Sequence, residues 1–176
     1  MIDGTKWAAA AAAIGVVLSL VTGCSGGDAS GRPTLEPDAV ERAVRQLVDD
    51  STVELGGEWV VRTEPRLGSC KNERGEGEGE GVNFTYIKDR TSRGETEQDM
   101  MALEASWKRA GLHTERFSSA TGDYVGITGK GDAVSSIGFQ SSDLGGGDSI
   151  SATSACAVGD YVDIRERQRE QERKDG

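Results

Sequence analysis

One histidine, three cysteines and three prolines in 176 residues leave little material for the commonest enzyme chemistries. His113 is the only imidazole. A zinc site needs several nitrogen or sulfur ligands, and no Cys-x-x-Cys or Cys/His spacing offers them. No Gly-x-Ser-x-Gly surrounds any serine, so a nucleophile elbow is absent from the sequence. Gly129-Lys130 lacks the upstream glycine spacing and the following hydroxyl of a phosphate-binding loop. Positive charge is scarce as well. Lys and Arg number 20 against 30 Asp and Glu, a net charge of −10. That balance argues against nucleic acid, whose phosphates demand basic patches. It argues equally against docking of the chain as a whole on anionic lipid by charge. Metals and cofactors have no motif here.

Long apolar runs are missing too, with one exception at the start. Ala8 to Leu20 is small and apolar throughout, and Lys6 precedes it. Thirteen residues fall short of the roughly 20 needed to span a hydrocarbon layer. A charged end followed by such a core is the pattern of a secretory signal. Leu20-Val21-Thr22-Gly23-Cys24 follows it and looks like the lipobox of bacterial lipoproteins. The resemblance implies cleavage before Cys24 and a diacylglyceryl thioether on its sulfur, with palmitate-type acyl chains. Residues 1–23 are then a signal peptide, and the chain is expected on the outer face of the cytoplasmic membrane. Its membrane partnership comes through the lipid on Cys24, and two acyl chains suffice for stable anchoring.

Removing residues 1–23 leaves one domain's worth of chain. Two cysteines remain, Cys70 and Cys156. Export places them in an oxidising compartment, where one pairing is open to them. Two free thiols or a metal pair are the alternatives.

Residues 24–34 read as a flexible tether of Ser, Gly and Asp. Leu35 to Asp50 reads as a helix, with Val40, Val44, Leu47 and Val48 on one stripe. Val53 to Arg62 alternates as a half-buried strand, with Val53, Leu55, Trp59 and Val61 on one face. Gly56-Gly57 suggests a bulge inside it, and Pro65 its end. Gly75 to Gly81 alternates glycine with Glu76, Glu78 and Glu80, the composition of a mobile surface loop. Val82 to Lys88 is a second strand. A second helix spans Thr96 to Gly111, with Met100, Leu103, Trp107 and Ala110 as its stripe. Short strands follow at Leu112 to Ser118, Tyr124 to Thr128, Ala133 to Gln140 and Ser149 to Val158, punctuated by glycine turns. The order is α-β-β-α-β-β-β-β. It implies an α+β fold at residues 35–164, two helices on one face of an antiparallel sheet, and one disulfide. Residues 165–176 form a charged tail, read as a frayed helix.

Several of these features together resemble the small uncharacterised lipoproteins of actinobacteria. They are the lipobox, the tether, the helix before a Trp-bearing strand, and a cysteine after that strand. The helix ending Trp107-Lys108-Arg109-Ala110-Gly111 and a cysteine in the last strand complete the set. The likeness covers most of the mature chain and implies an α+β lipoprotein domain. It carries no established activity, so no catalytic residue transfers from it.

Candidate sites weigh lightly against ordinary structural roles. His113 follows a helix stop and opens a strand. Glu54 and Glu58 lie four apart on the expected outer face of a strand. Glu76, Glu78 and Glu80 do not complete a calcium loop, which wants six to eight oxygens. Asp143 and Asp148, around Gly145 to Gly147, fare no better. Trp59 and Trp107 are expected to meet in the core, with a ligand-facing pair as the sharper alternative. The leading functional expectation is a non-enzymatic module binding an envelope component or protein partner. An envelope hydrolase using carboxylates or His113, and a carrier of an apolar ligand, are the rivals. A cleft collecting His113 and two carboxylates would favour the hydrolase. An apolar cavity beside Trp59 or Trp107 would favour the carrier.

Overall fold

The computed structural model describes residues 35–71, 81–142 and 147–175. The signal segment, Cys24, the tether, Glu76, Glu78, Glu80 and Asp143 lie outside the described residues.

The first helix, α1, spans Pro37–Leu55. Proline pre-sets its first turn, and Asp38 faces the positive end of the helix dipole there. Val40, Val44 and Val48 are buried, and Ser51 and Thr52 continue the stripe. The helix therefore runs past its expected end at Asp50 and takes in Val53, which is exposed rather than on a strand face. Gly56 and Gly57, with φ of 62° and 82°, adopt the left-handed backbone that stops a helix. They form a cap, not a bulge. The alternation of Val53 and Leu55 with Trp59 and Val61 crosses a helix end by coincidence.

Strand β1, Trp59–Cys70, passes through Pro65 instead of ending there. It is an edge strand paired only with β2, Gly81–Arg90, and its register shifts between Thr63 and Arg66. Proline removes no ladder bond at such a place. After β2 come α2 (Thr96–Arg109), β3 (His113–Ser118), β4 (Tyr124–Lys130), β5 (Val134–Ser142) and β6 (Gly147–Ser154). The order α-β-β-α-β-β-β-β is as the sequence implies. A two-residue strand β7 (Ala157–Val158) and helix α3 (Tyr161–Asp175) complete it.

The strands form one antiparallel sheet in the order β1-β2-β6-β5-β4-β3, with β7 beside β2. Helices α1 and α2 cover one face. Val44, Val48, Met100, Leu103 and Trp107 from the helices pack on Tyr86, Ile127, Ile137, Phe139, Ile150 and Ala152 from the strands. A second patch joins Val40, Leu67, Val82, Phe84 and Ala157 to Ile164 of α3. That helix starts before the expected tail boundary, because Ile164 belongs to the core. Trp107 is buried, and its indole N–H donates to Ser51 Oγ at 2.9 Å, which in turn donates to the Leu47 carbonyl. Trp59 lies half-buried at the margin of the same cluster. Ala110 falls beyond the last helical turn of α2 and is exposed, contrary to its expected place on the stripe. Gly111, at φ 82°, closes that helix as expected.

Cys70 and Cys156 form a disulfide, with Cα atoms 5.9 Å apart. Cys70 is the last residue of β1 and pairs in register with Gly81, the first of β2. The bridge thus closes the root of the connection between those strands. Cys156 does not continue the β6 alternation. The strand breaks at Ala155 and Cys156, and Ala157 takes the buried place. Gly81 lies under the bridge, where an added Cβ would run into Cys156 Sγ and the Cys70 carbonyl. Gly81 is therefore structural and does not belong to the acidic loop. Gly81→Ala should destabilise the fold by about 1–3 kcal/mol, the range for overpacking a tight site. Thermal melting checks this, together with the fraction of thiol that alkylates without reductant, which should rise.

Candidate functional site

Three places in the described residues gather polar chemistry. The most buried is a charge hub at one end of β2 and β6. Arg90 Nη1 contacts Asp99 Oδ2 at 2.7 Å and Asp148 Oδ2 at 3.4 Å, with side-chain exposures of 8%, 11% and 0% respectively. Arg90 Nη2 donates to the Leu55 and Gly56 carbonyls, at 2.8 and 3.1 Å. Its guanidinium also lies over the Trp59 ring at 5.5 Å. The Gly94 amide donates to Asp148 Oδ2 at 2.9 Å. One cation thereby ties the end of α1, the first turn of α2 and the start of β6. Carbonyls at a helix C-terminus carry partial negative charge, which suits a guanidinium. The Arg90 Nε and Asp148 Oδ1 atoms have no protein partner. The hub holds elements together.

A second cluster lies between α1 and β2. Lys88 Nζ meets Asp49 Oδ1 at 2.7 Å, and the Tyr86 hydroxyl donates to the same oxygen at 3.3 Å. Tyrosine beside lysine could serve proton transfer, but the electrostatics oppose it. Burial and then Asp49 push the Tyr86 phenol above its ordinary value, against the pull of Lys88. Burial lowers the Lys88 ammonium, yet the hydrogen bond and charge of Asp49 outweigh it and raise the group. Both shifts lead away from neutral pH, whereas a general acid or base is tuned towards it.

The sequence candidates are scattered. His113 is exposed at the start of β3, across from Lys130, and its side chain makes no hydrogen bond or ion pair to a described residue. Glu54 belongs to the last turn of α1 and lies 3.9 Å from Arg109, and Glu58 precedes β1. The two do not share a strand face. No group of three His, Cys, Asp or Glu side chains able to hold a metal occurs among the described residues. His113→Ala should leave folding and function unchanged. Melting within about 1 °C of the parent, and full complementation of a deletion strain, are the expected readings. Failure to complement by a normally folded, normally anchored variant would bring the imidazole into the function.

The third place is the face of the sheet turned away from the helices. Register and alternation define it in three rows. Thr85, Thr153 and Ser136 form one. Ile87, Ser151, Gly138, Thr128 and Glu115 form the next. Asp89, Ser149, Gln140, Gly126 and Phe117 form the third. Of these only Gly126 is buried, where the Phe117 ring crosses it. Thr85 and Thr153 hydroxyls approach within 3.2 Å. The face is broad, mainly short hydroxyl side chains and glycines, and uncovered by any described helix. Against the helices, by contrast, there is an open groove of about 440 Å³ rather than a sealed cavity. It is lined by Ala43, Leu47, Leu112, Ala133 and Val134 among others.

No protein-family model, curated protein or solved structure matches this chain.

The hub is not among the sites that residue types suggest: Asp148, beside a run of glycines, reads as a weak cation-ligand candidate, and Arg90 carries no motif. A signal was available. The buried alternation Val82, Phe84, Tyr86 reaches Arg90 when carried forward, and Ile150, Ala152, Ser154 reaches Asp148 when carried back. Both charges therefore fall on the core face of neighbouring strands, at the same end.

Proposed function

We propose that this chain is a lipid-anchored extracytoplasmic protein, of the kind found as small lipoproteins in actinobacteria. Through the open face of its sheet it binds an envelope component or a protein partner, without catalysis. The observation that carries the binding role is the uncovered hydroxyl-rich face. Its short side chains present donors and acceptors, and of its two carboxylates Glu115 is exposed and Asp89 is half-buried beside Arg62 at 3.4 Å. Most charge with low exposure lies on the opposite side, engaged in the hub and the Asp49 cluster, where it ties elements together. The lipobox at Leu20 to Cys24 supports the anchor, and the disulfide agrees with an oxidising compartment. No described helix is long and apolar enough to cross a membrane.

The test is to load the face without touching the core. Ser149→Arg with Ser151→Arg places two long cations at the centre of the second and third rows. The double variant should melt within a few degrees of the parent and remain anchored, yet fail to complement a deletion strain. Full complementation would remove the face from the function.

A further inference from the structure

We infer that the open face of the sheet binds a neutral polysaccharide of the envelope, with the Phe117 ring as a stacking platform beside a glycine floor. The inference rests on the binding role proposed above and names the chemistry of the partner. The middle of the face decides that chemistry. Its two central strands turn Ser149, Ser151 and Thr153 of β6 and Ser136, Gly138 and Gln140 of β5 to this side. No charged and no apolar side chain stands among them. Charge keeps to the flanks, with Glu115 and Lys130 on one side and Arg66, Asp89 and its partner Arg62 on the other. Apolar side chains keep to the flanks as well, Val60 and Ile87 toward β1 and Phe117 and Tyr124 toward β3. A protein interface has the reverse arrangement, an apolar centre inside a polar rim, and is depleted in serine. Its hot spots are seldom serine or threonine.

Sugar hydroxyls complement such a centre. A serine or threonine hydroxyl both donates and accepts, and so does each hydroxyl of a pyranose. Neutral groups of this kind cost less to strip of water than charges do. Short side chains also have little rotamer freedom to lose when a ligand holds them. Strands stand about 4.8 Å apart, a spacing close to the length of one pyranose unit, so a glycan laid across them meets one position per strand. Two glycines shape its path. Gly138 leaves room on the face, because a Cβ built there would find no atom nearer than 3.9 Å. At Gly126 a Cβ would stand 2.6 Å from Phe117 Cζ, so the ring lies against the sheet there. Phe117 nonetheless stays 39% exposed. The face of an aromatic ring is negative, and it attracts the slightly positive C–H groups on one side of a pyranose. The net charge of −10 repels anionic polymers, which selects a neutral one.

The test uses the full protein in detergent micelles. The probe is polysaccharide of the host envelope, deproteinised and split by anion exchange into neutral and anionic fractions. Titration calorimetry should show binding of the neutral fraction. Gly138→Val fills the path with a side chain that suits a strand. It should melt no lower than the parent and bind about tenfold more weakly. Phe117→Leu keeps an apolar cover on Gly126 but offers no ring, and should also bind about tenfold more weakly. Met101→Ala, on the exposed side of α2, should bind as the parent does. The inference is overturned if the neutral fraction does not bind, if only the anionic fraction binds, or if Gly138→Val or Phe117→Leu binds at parent strength. Complementation separates this failure from that of the binding role itself. Where Ser149→Arg/Ser151→Arg fails to complement while the parent ignores the neutral fraction, the face keeps its function and a polysaccharide is not its partner. Full complementation by that double variant removes both.

Discussion

Replacing Arg90 with leucine should lower the melting temperature by roughly 6–20 °C. The side chain is 8% exposed and faces two carboxylates that are 11% and 0% exposed. Removing the cation leaves Asp99 and Asp148 buried without compensation, and breaking a buried pair in this way costs about 3–5 kcal/mol. A domain of this size shifts by about 2–4 °C per kcal/mol. The loss extends beyond the ion pairs, because Arg90 also closes the Leu55 and Gly56 carbonyls at the end of α1. The partners share one network, so their effects should not add. Arg90→Leu combined with Asp148→Leu should be less destabilised than the sum of the single variants. Calorimetry on the four proteins measures this. A single-variant shift under about 3 °C, or strict additivity, would show that the hub does not brace the fold.

The disulfide should matter on a similar scale. Cys70 and Cys156 are 86 residues apart, so their bond closes a large loop in the unfolded chain. The chain-entropy relation gives such a loop about 4–5 kcal/mol at the upper end. Cys70→Ala with Cys156→Ala should therefore lower the melting temperature by as much as roughly 8–20 °C. The first region to loosen should be the base of the β1–β2 connection and β7, which the bridge holds against each other. Hydrogen exchange should rise at Gly81, Val82 and Val158 before it rises at Phe139 or Ile150 in the centre of the sheet. A double variant that melts like the parent would mean that the bridge adds nothing beyond the packing around it.

These two braces differ in how far the sequence disclosed them. The disulfide follows from cysteine arithmetic once Cys24 is set aside for the lipid. The central strands were equally legible, because Val82, Phe84 and Tyr86, or Ile150 and Ala152, alternate cleanly with polar neighbours. The second helix was legible through Met100, Leu103 and Trp107 and the glycine that ends it. The end of α1 was not. Thr52 and Val53 are β-branched, and the apolar residues after them satisfy a two-residue period as well as a helical one. Only the backbone of Gly56 and Gly57 decides between the two. Pro65 misled for a related reason. Proline excludes a central strand but not an edge strand, and strand order is a property of the whole sheet. Arg90 is hidden in the sequence because charged residues ordinarily lie outside. The alternation pointed inward, but its partners Asp99 and Asp148 lie 9 and 58 residues away. The open face of the sheet became visible only when register showed which rows the helices leave bare.

The proposed location depends on Cys24, and the mass of the N-terminal peptide of the mature protein tests it most directly. Protein isolated from bacterial membranes should begin at Cys24 and carry the added mass of a diacylglyceryl group on that residue. The Cys24→Ala variant should incorporate no labelled fatty acid and should retain residues 1–23. An unmodified peptide spanning Gly23 and Cys24 in the wild-type protein, or fatty-acid label in Cys24→Ala at the wild-type level, would contradict the account.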